Sequence, residues 1–377
     1  MAYRRMRNTP GGKIGRFTRR SIRFIVGIII AIVVSSAMIM AQFGVYNMYY
    51  DKMDMRKVWE VKYRERQERL SDGTVLNYAE SGKIFTENGA KTPLLLIHGQ
   101  EMAWEDYARV LPALAETYHV YAVDCHGHGC SSHNPSDYTC EKMTADLILF
   151  IENVIKKPCV VSGHSSGGIL AANIAATAPQ DVLGVVLEDP PFFSVLPEEM
   201  QNTFVWKDGF EVMHQFLQSG EKYYTPYYYE NGYMWKMFNG LEKFPASTAR
   251  EYTEKNGKEC KKIWYMPFKW THGLLYVDEY DFRFAEAFYN GTWLEGLTQE
   301  DILRGVKCPC TYIKAKTSYG DDGVLYCAND DEDAKKVVSL IPGCKMIETE
   351  TSDHDIHFVY SKKFIEIMEQ FHQEITK

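Results

Sequence analysis

The sequence predicts an α/β fold with a serine presented at a strand-to-helix turn, and three observations point to it. Residues 158–162 form a short apolar strand, Gly163-His164-Ser165-Ser166-Gly167 a tight turn, and residues 166–176 a helix with small residues on its packing face. Upstream, residues 92–97 are a continuous apolar strand that ends in His98-Gly99-Gln100. Between these, residues 119–123 form another strand and run into a loop dense in His and Cys.

The turn is the element with chemical content. A serine there occupies a sparsely populated backbone region, so its neighbours two positions away must lack a Cβ, and Gly163 and Gly167 meet that need. The helix that starts just beyond aims backbone N–H groups at developing negative charge. Ser165 is therefore the candidate nucleophile. The strand ending in His98-Gly99 offers a second backbone donor, so the N–H groups of Gln100 and Ser166 are the candidate oxyanion hole. His98 itself reads as a buried residue that caps its strand.

The loop Asp124-Cys125-His126-Gly127-His128-Gly129-Cys130-Ser131 invites a metal reading. Two Cys and two His within six residues diverge too strongly to converge on one tetrahedral ion, and no second cluster of matching spacing follows. No metal is expected. The three segments HGQ (98–100), DCHGHGCS (124–131) and GHSSGG (163–168) together resemble the α/β-hydrolase superfamily in order and approximate spacing. The likeness covers roughly residues 70–190 and 305–377. It implies a mostly parallel eight-stranded sheet flanked by helices, with Asp124 and His128 organising a loop and doing no chemistry. It also implies the chain order nucleophile, acid, histidine.

That order places the base near the C-terminus. Family members carry Gly-His-x-x-His or similar after the last strand, which maps the catalytic histidine onto His354 within Thr351-Ser352-Asp353-His354-Asp355-Ile356-His357, with Asp353 in place of the usual glycine. His357 is the alternative, or a residue that orients His354. For the acid, the loop after the seventh strand (residues 310–315) favours Asp322 over Asp321. Glu188 and Asp189, at the end of the sixth strand, are the second location. Such a triad with its oxyanion hole performs acyl transfer through a covalent serine intermediate and requires no metal or organic cofactor.

The remaining chain divides by composition. Residues 1–23 hold Arg4, Arg5, Arg7, Lys13, Arg16, Arg19, Arg20 and Arg23 and no acid, and they precede an uncharged run whose apolar heart spans 24–41. The expectation is a basic cytoplasmic segment (1–23), a membrane-spanning helix (24–46), and a catalytic domain (60–190 and 300–377) on the far side of the membrane. A cleaved secretory signal is the rival reading, but its small-residue site, Ser35-Ser36-Ala37, falls inside the apolar run. Removing the eight basic residues from a formal net charge of −8 leaves −16 on residues 24–377, which disfavours nucleic acid as a partner. Nine cysteines, an odd number, sit awkwardly outside the cytoplasm; Cys125, Cys130 and Cys140 could include a disulfide pair. Asn290-Gly291-Thr292 is a formal glycosylation acceptor.

Residues 191–299 lose the strand signals and fill with aromatic residues, as in 223–229 and 264–270. The resemblance makes this segment a mainly helical cap over the active site, with some aromatic side chains lining a pocket suited to an apolar acyl or aromatic group. The sequence as a whole thus predicts a membrane-anchored serine hydrolase acting on small-molecule carboxylic esters. Amide, thioester or carbon–carbon bond cleavage at the same site is the alternative, as is a binding protein that keeps the fold with slow catalysis. Dehalogenases and epoxide hydrolases of this architecture use aspartate at the elbow, and Ser165 argues against both.

Overall fold

A computed structural model describes residues 19–82, 84–86, 89–238 and 240–377. Most of the basic N-terminal segment, residues 1–18, lies outside the described residues, as do the side chains of residues 19–22. The core is one eight-stranded sheet: β1 (Arg64–Arg69), β2 (Val75–Glu80), β3 (Thr92–Ile97), β4 (Tyr118–Val123), β5 (Cys159–His164), β6 (Val182–Glu188), β7 (Cys310–Lys314) and β8 (Lys345–Glu348). Their spatial order is β1-β2-β4-β3-β5-β6-β7-β8. The pairs from β4 to β8 are parallel, and only β1 with β2 and β2 with β4 are antiparallel.

Both faces of the sheet are covered, which is why the central strands are apolar throughout. Along β3 the side chains alternate between them: Leu95 and Ile97 pack into the core with α3 (Cys140–Phe150) and α4 (Ser166–Thr177), and Leu94 and Leu96 into the core with α2 (Leu111–Thr117). Between β6 and β7 the described chain contains helices and turns but no strand. Its longer helices are α5 (Glu211–Ser219), α6 (Tyr224–Asn231), α7 (Lys243–Asn256) and α8 (Arg283–Tyr289). After this insertion come α9 (Gln299–Gly305), α10 (Asp331–Leu340) and α11 (Ser361–Ile375). The last of these joins α2 on its face of the sheet through Phe364, Ile367, Met368 and Phe371.

The N-terminal helix differs from expectation in its far boundary. α1 runs from Arg19 to Glu60, 42 residues without a break, well past residue 46. Its apolar side chains from Phe24 to Phe43 are exposed, whereas Gly44, Asn47, Tyr50 and Val58 are buried against the rest of the protein. The reason is a change of partner along one helix: polar and aromatic side chains beyond residue 43 meet the insertion and the core. This makes α1 one helix long and apolar enough to cross a membrane. All nine cysteines are free, including Cys125, Cys130 and Cys140, so none of the expected pairings forms.

Candidate active site

Ser165 stands between β5 and α4 at φ 53° and ψ −123°, a conformation that costs strain for a residue with a side chain. The surroundings enforce it. A Cβ on Gly163 would lie 2.0 Å from the carbonyl oxygen of Gly167, and one on Gly167 would lie 2.4 Å from that of Ile97. No larger residue fits at either position. The Ser165 N–H donates to the carbonyl of Glu188 at 2.9 Å, tying the turn to the end of β6.

The loop after β3 closes in on the serine, since a Cβ on Gly99 would come within 3.1 Å of the Ser165 Cβ. Ser166 begins α4, so its N–H has no partner within the helix. The 124–131 loop braces the loop after β3 from behind. Asp124 accepts from the backbone N–H of Trp104 (2.8 Å) and Cys130 (3.1 Å) and from Asn77 Nδ2 (2.8 Å). His98 Nε2 accepts from the Cys125 N–H at 2.9 Å. His128 Nδ1 donates to the His126 carbonyl, which leaves Nε2 to accept the N–H of Glu101 at 3.2 Å. Glu101, at φ 62°, is held turned by that bond, and Gln100 precedes it beside Ser165.

His354 Nδ1 donates to Asp189 Oδ2 at 2.7 Å. Asp189 follows β6 at φ 41°, a left-handed conformation that Asp tolerates better than most residues, and its Oδ1 accepts the Ala315 N–H at 2.9 Å. The carboxylate is fully buried and fixed by the ends of two strands. Burial works against the charged form of the His354 ring, but the bond and charge of Asp189 outweigh it and raise the pKa above the ordinary 6.5. The structure pairs His354 with Asp189, one of the alternatives at the end of β6, and not with the acids expected after β7. Asp322 is exposed and accepts from Tyr233 Oη at 2.5 Å, and Asp321 is exposed as well. The long loop after β7 carries both away from the histidine, while β6 ends directly beneath it.

Glu188 and His357 belong to a different assembly. His357 Nδ1 donates to Glu188 Oε1 at 2.9 Å, and its Nε2 to Asp106 Oδ2 at 2.9 Å. Asp106 Oδ1 accepts from His272 Nε2 at 2.7 Å, and His272 Nδ1 accepts from Tyr50 Oη at 2.8 Å. Five buried side chains therefore form one chain from α1 through the insertion to the residue beside Asp189. Desolvation opposes a charge on His357, yet Glu188 and Asp106 raise its pKa well above the usual value, so it is an imidazolium between two carboxylates. No single segment of sequence carries this chain. Its one local signal is Glu188 at the end of an otherwise apolar strand.

Asp106, His164 and His357 also bring ligand atoms within 4.8 Å of one another. Asp106 and His357 spend theirs on each other. His164, the residue before Ser165, keeps Nδ1 buried without a partner, and burial, then the charge of His354, lowers its pKa to about 3.

Ser165 and His354 open onto one cavity of about 450 Å³. The insertion supplies aromatic wall residues including Phe204, Phe210, Tyr224, Tyr228, Trp270 and Phe288. Glu101 and Asp208 line it too, and burial, with a smaller effect from Asp208, pushes the Glu101 carboxyl up to about 8. Among the described residues the lining contains no lysine or arginine.

The model of the α/β hydrolase family matches residues 94–367, and the chain belongs to that family. Over 131 residues it is 33% identical to bifunctional epoxide hydrolase 2 of Sus scrofa, covering 34% of this chain and 24% of the relative. Over 122 residues it is 37% identical to the dihydrolipoyllysine-residue acetyltransferase component of an acetoin cleaving system from Cupriavidus necator, covering 32% and 31%. The chain thus spans less than a third of the length of either relative. Among solved structures, an enol-lactonase from Burkholderia xenovorans superposes with a TM-score of 0.55 at 16% identity, covering 81% of this chain and 99% of the other. A bacterial membrane phospholipase A superposes with a TM-score of 0.56 at 18% identity, covering 94% and 99%. Likeness at that identity speaks for the fold. The relatives and neighbours include hydrolases, and this chain shares the α/β hydrolase family with them.

Proposed function

We propose that this protein is a membrane-anchored serine hydrolase that cleaves carboxylic esters through an acyl-enzyme, with Ser165 as nucleophile, His354 as general base and Asp189 as the acid. The observation that carries the reading is the His354–Asp189 bond of 2.7 Å beside a serine held at φ 53° in the same cavity. With Nδ1–H committed to Asp189, Nε2 is left as the acceptor, the tautomer a base needs to take the Ser165 proton. Ser165 Oγ then bonds to the ester carbonyl carbon, the N–H groups of Gln100 and Ser166 hold the oxyanion, and His354 returns the proton to the leaving alkoxide. Water activated by the same histidine releases the acid and restores the serine.

The cavity supports a neutral substrate with an apolar or aromatic part: its walls are aromatic, its described lining has no lysine or arginine to pair with an anion, and burial pushes the Glu101 carboxyl up to about 8. Ser165 stands where epoxide hydrolases of this architecture carry aspartate, which supports ester over epoxide chemistry. Anchoring by α1, with the catalytic domain outside the cytoplasm, rests on its exposed apolar stretch and on the eight basic residues at positions 4–23. The domain division at 60–190, 191–299 and 300–377 accompanies this reading, with residues 47–60 added to the folded part.

The test is covalent. A fluorophosphonate probe is expected to modify Ser165, located by peptide mass spectrometry, and Ser165→Ala to abolish both labelling and ester hydrolysis. A folded wild-type protein that resists the probe, or a Ser165→Ala variant with full turnover, contradicts the proposal and favours a binding protein.

A further inference from the structure

Helix α1 passes from exposed to packed at one level. Phe24–Phe43 is 20 residues, which at about 1.5 Å per residue spans about 30 Å, the thickness of a bilayer's hydrocarbon core. Gly44 is the first buried residue beyond it. What covers Gly44 is Trp264 of the insertion, whose ring lies 3.1 Å from where a Gly44 Cβ would be. The neighbouring turns of the helix fasten the same segment. Asn47 Nδ2 donates to the Trp264 carbonyl at 3.0 Å, and Asn47 Oδ1 accepts the Phe268 N–H at 3.3 Å. Lys262 Nζ donates to the Met48 carbonyl (3.0 Å) and to Asp51 (2.6 Å).

That segment presents large apolar side chains outward. Trp264 is 49% exposed, Trp270 44%, Leu241 61% and Phe244 65%. They are joined into one structure. Trp264 meets Tyr265 edge-on at 5.5 Å, Tyr265 Oη bonds Thr248 Oγ1 at 2.8 Å, and Thr248 donates to the Phe244 carbonyl at 2.9 Å. Trp270 contacts Phe238 at 5.3 Å, and Phe238 accepts the Leu241 N–H at 3.2 Å. The exposed Lys236, Lys243 and Lys269 come from the same stretch of chain. Trp270 also lines the cavity that holds Ser165.

Taking α1 as the membrane span proposed above, we infer that this face of the insertion rests on the bilayer and that the cavity takes its ester from the lipid phase. Helix geometry sets Trp264 within about one turn of the end of the hydrocarbon span, where tryptophan is favoured because its ring is apolar and its N–H polar. Leu241 and Phe244 extend the apolar contact, and lysines beside such a patch attract anionic headgroups. A described lining without lysine or arginine fits a neutral lipid-borne ester, and Trp270 connects the two surfaces.

The experiment uses the full chain reconstituted in vesicles of phosphatidylcholine and phosphatidylglycerol whose acyl chains are brominated near the headgroup. Bromine is expected to quench tryptophan emission, and Trp264→Phe to remove part of that quenching. Trp59→Phe is expected to leave it unchanged, because Trp59 lies 15 residues beyond Gly44, about 22 Å further along the helix. The paired variant Leu241→Glu with Phe244→Glu is expected to slow hydrolysis of a long-chain ester embedded in the vesicle roughly tenfold, with turnover of a soluble butyrate ester unchanged. Quenching that Trp264→Phe does not alter, or a paired variant at wild-type rate on both esters, overturns the inference while α1 stays anchored. Release of the chain by alkaline extraction instead overturns the anchor and the inference together.

Discussion

Two histidines three residues apart carry opposite expectations, and exchanging each for glutamine separates them. His357 is 0% exposed, with Glu188 at 2.9 Å on one ring nitrogen and Asp106 at 2.9 Å on the other. His357→Gln removes the cation and leaves two buried carboxylates facing a neutral amide. Breaking a buried pair in this way costs about 3–5 kcal/mol, because the abandoned charge stays desolvated. Asp106 keeps His272, so most of the cost falls on Glu188, which among the described residues pairs its carboxylate with His357. The His354 side chain, by contrast, is 32% exposed toward the cavity and makes one bond to Asp189. Its replacement by glutamine leaves buried Asp189 the N–H groups of Ala315 and Ala328 and strands one carboxylate rather than two, so it is expected to cost less stability than His357→Gln and to abolish ester hydrolysis. Denaturant titration in detergent, paired with turnover of a soluble ester, reads both quantities. The pH dependence has a definite sign. The folded pKa of His357 lies above that of the unfolded chain, so its contribution is complete below the unfolded value and is lost as pH rises through the folded one. A His357→Gln protein as stable as wild type, or a His354→Gln protein with retained turnover, refutes this division of roles.

Other outcomes follow from the same geometry. Gly163→Ala pushes a methyl to 2.0 Å from the Gly167 carbonyl and is expected to cost about 3 kcal/mol or more, with loss of fluorophosphonate labelling. Tyr50→Phe strands the buried Nδ1 of His272 and is expected to lower stability by about 1–3 kcal/mol in the same denaturant titration, with little change in turnover. Because the base must be neutral and Asp189 raises its pKa, kcat/KM is expected to fall on acidification with a midpoint above 6.5, and Asp189→Asn to move that midpoint downward. A chain beginning at residue 47 is expected to remain folded in solution, whereas one beginning at residue 61 loses buried Asn47, Tyr50 and Val58 and is expected to aggregate on size-exclusion chromatography.

The sheet and its elbow were legible because they are written in short stretches. Apolar strands such as Thr92–Ile97 announce burial on both faces, and the spacing of Gly163 and Gly167 around Ser165 reflects clashes with backbone only a few residues away. The acid was not legible in the same way. Asp189 and Asp322 are both acidic residues following apolar strands, and what separates them is which strand ends beneath His354, a property of three-dimensional order. The His357 chain is harder still, since its five members come from α1, the loop after β3, the insertion, the end of β6 and the segment before α11. The far boundary of α1 was missed because hydropathy registers where the apolar run stops, whereas the helix continues on contacts with residues more than 200 positions away.

The central claim is that His354 acts through Asp189, and one pair of variants tests it most directly. In purified full-length protein, kcat/KM for a soluble ester is measured for Asp189→Asn and Asp322→Asn alongside wild type. Asp189→Asn is expected to lose on the order of 10⁴-fold, because an amide no longer holds the imidazole in the basic tautomer. Asp322→Asn, whose carboxylate meets Tyr233 and nearby backbone at the surface, is expected to stay near wild type. The reverse pattern, with Asp322→Asn inactive and Asp189→Asn near wild type, contradicts the account.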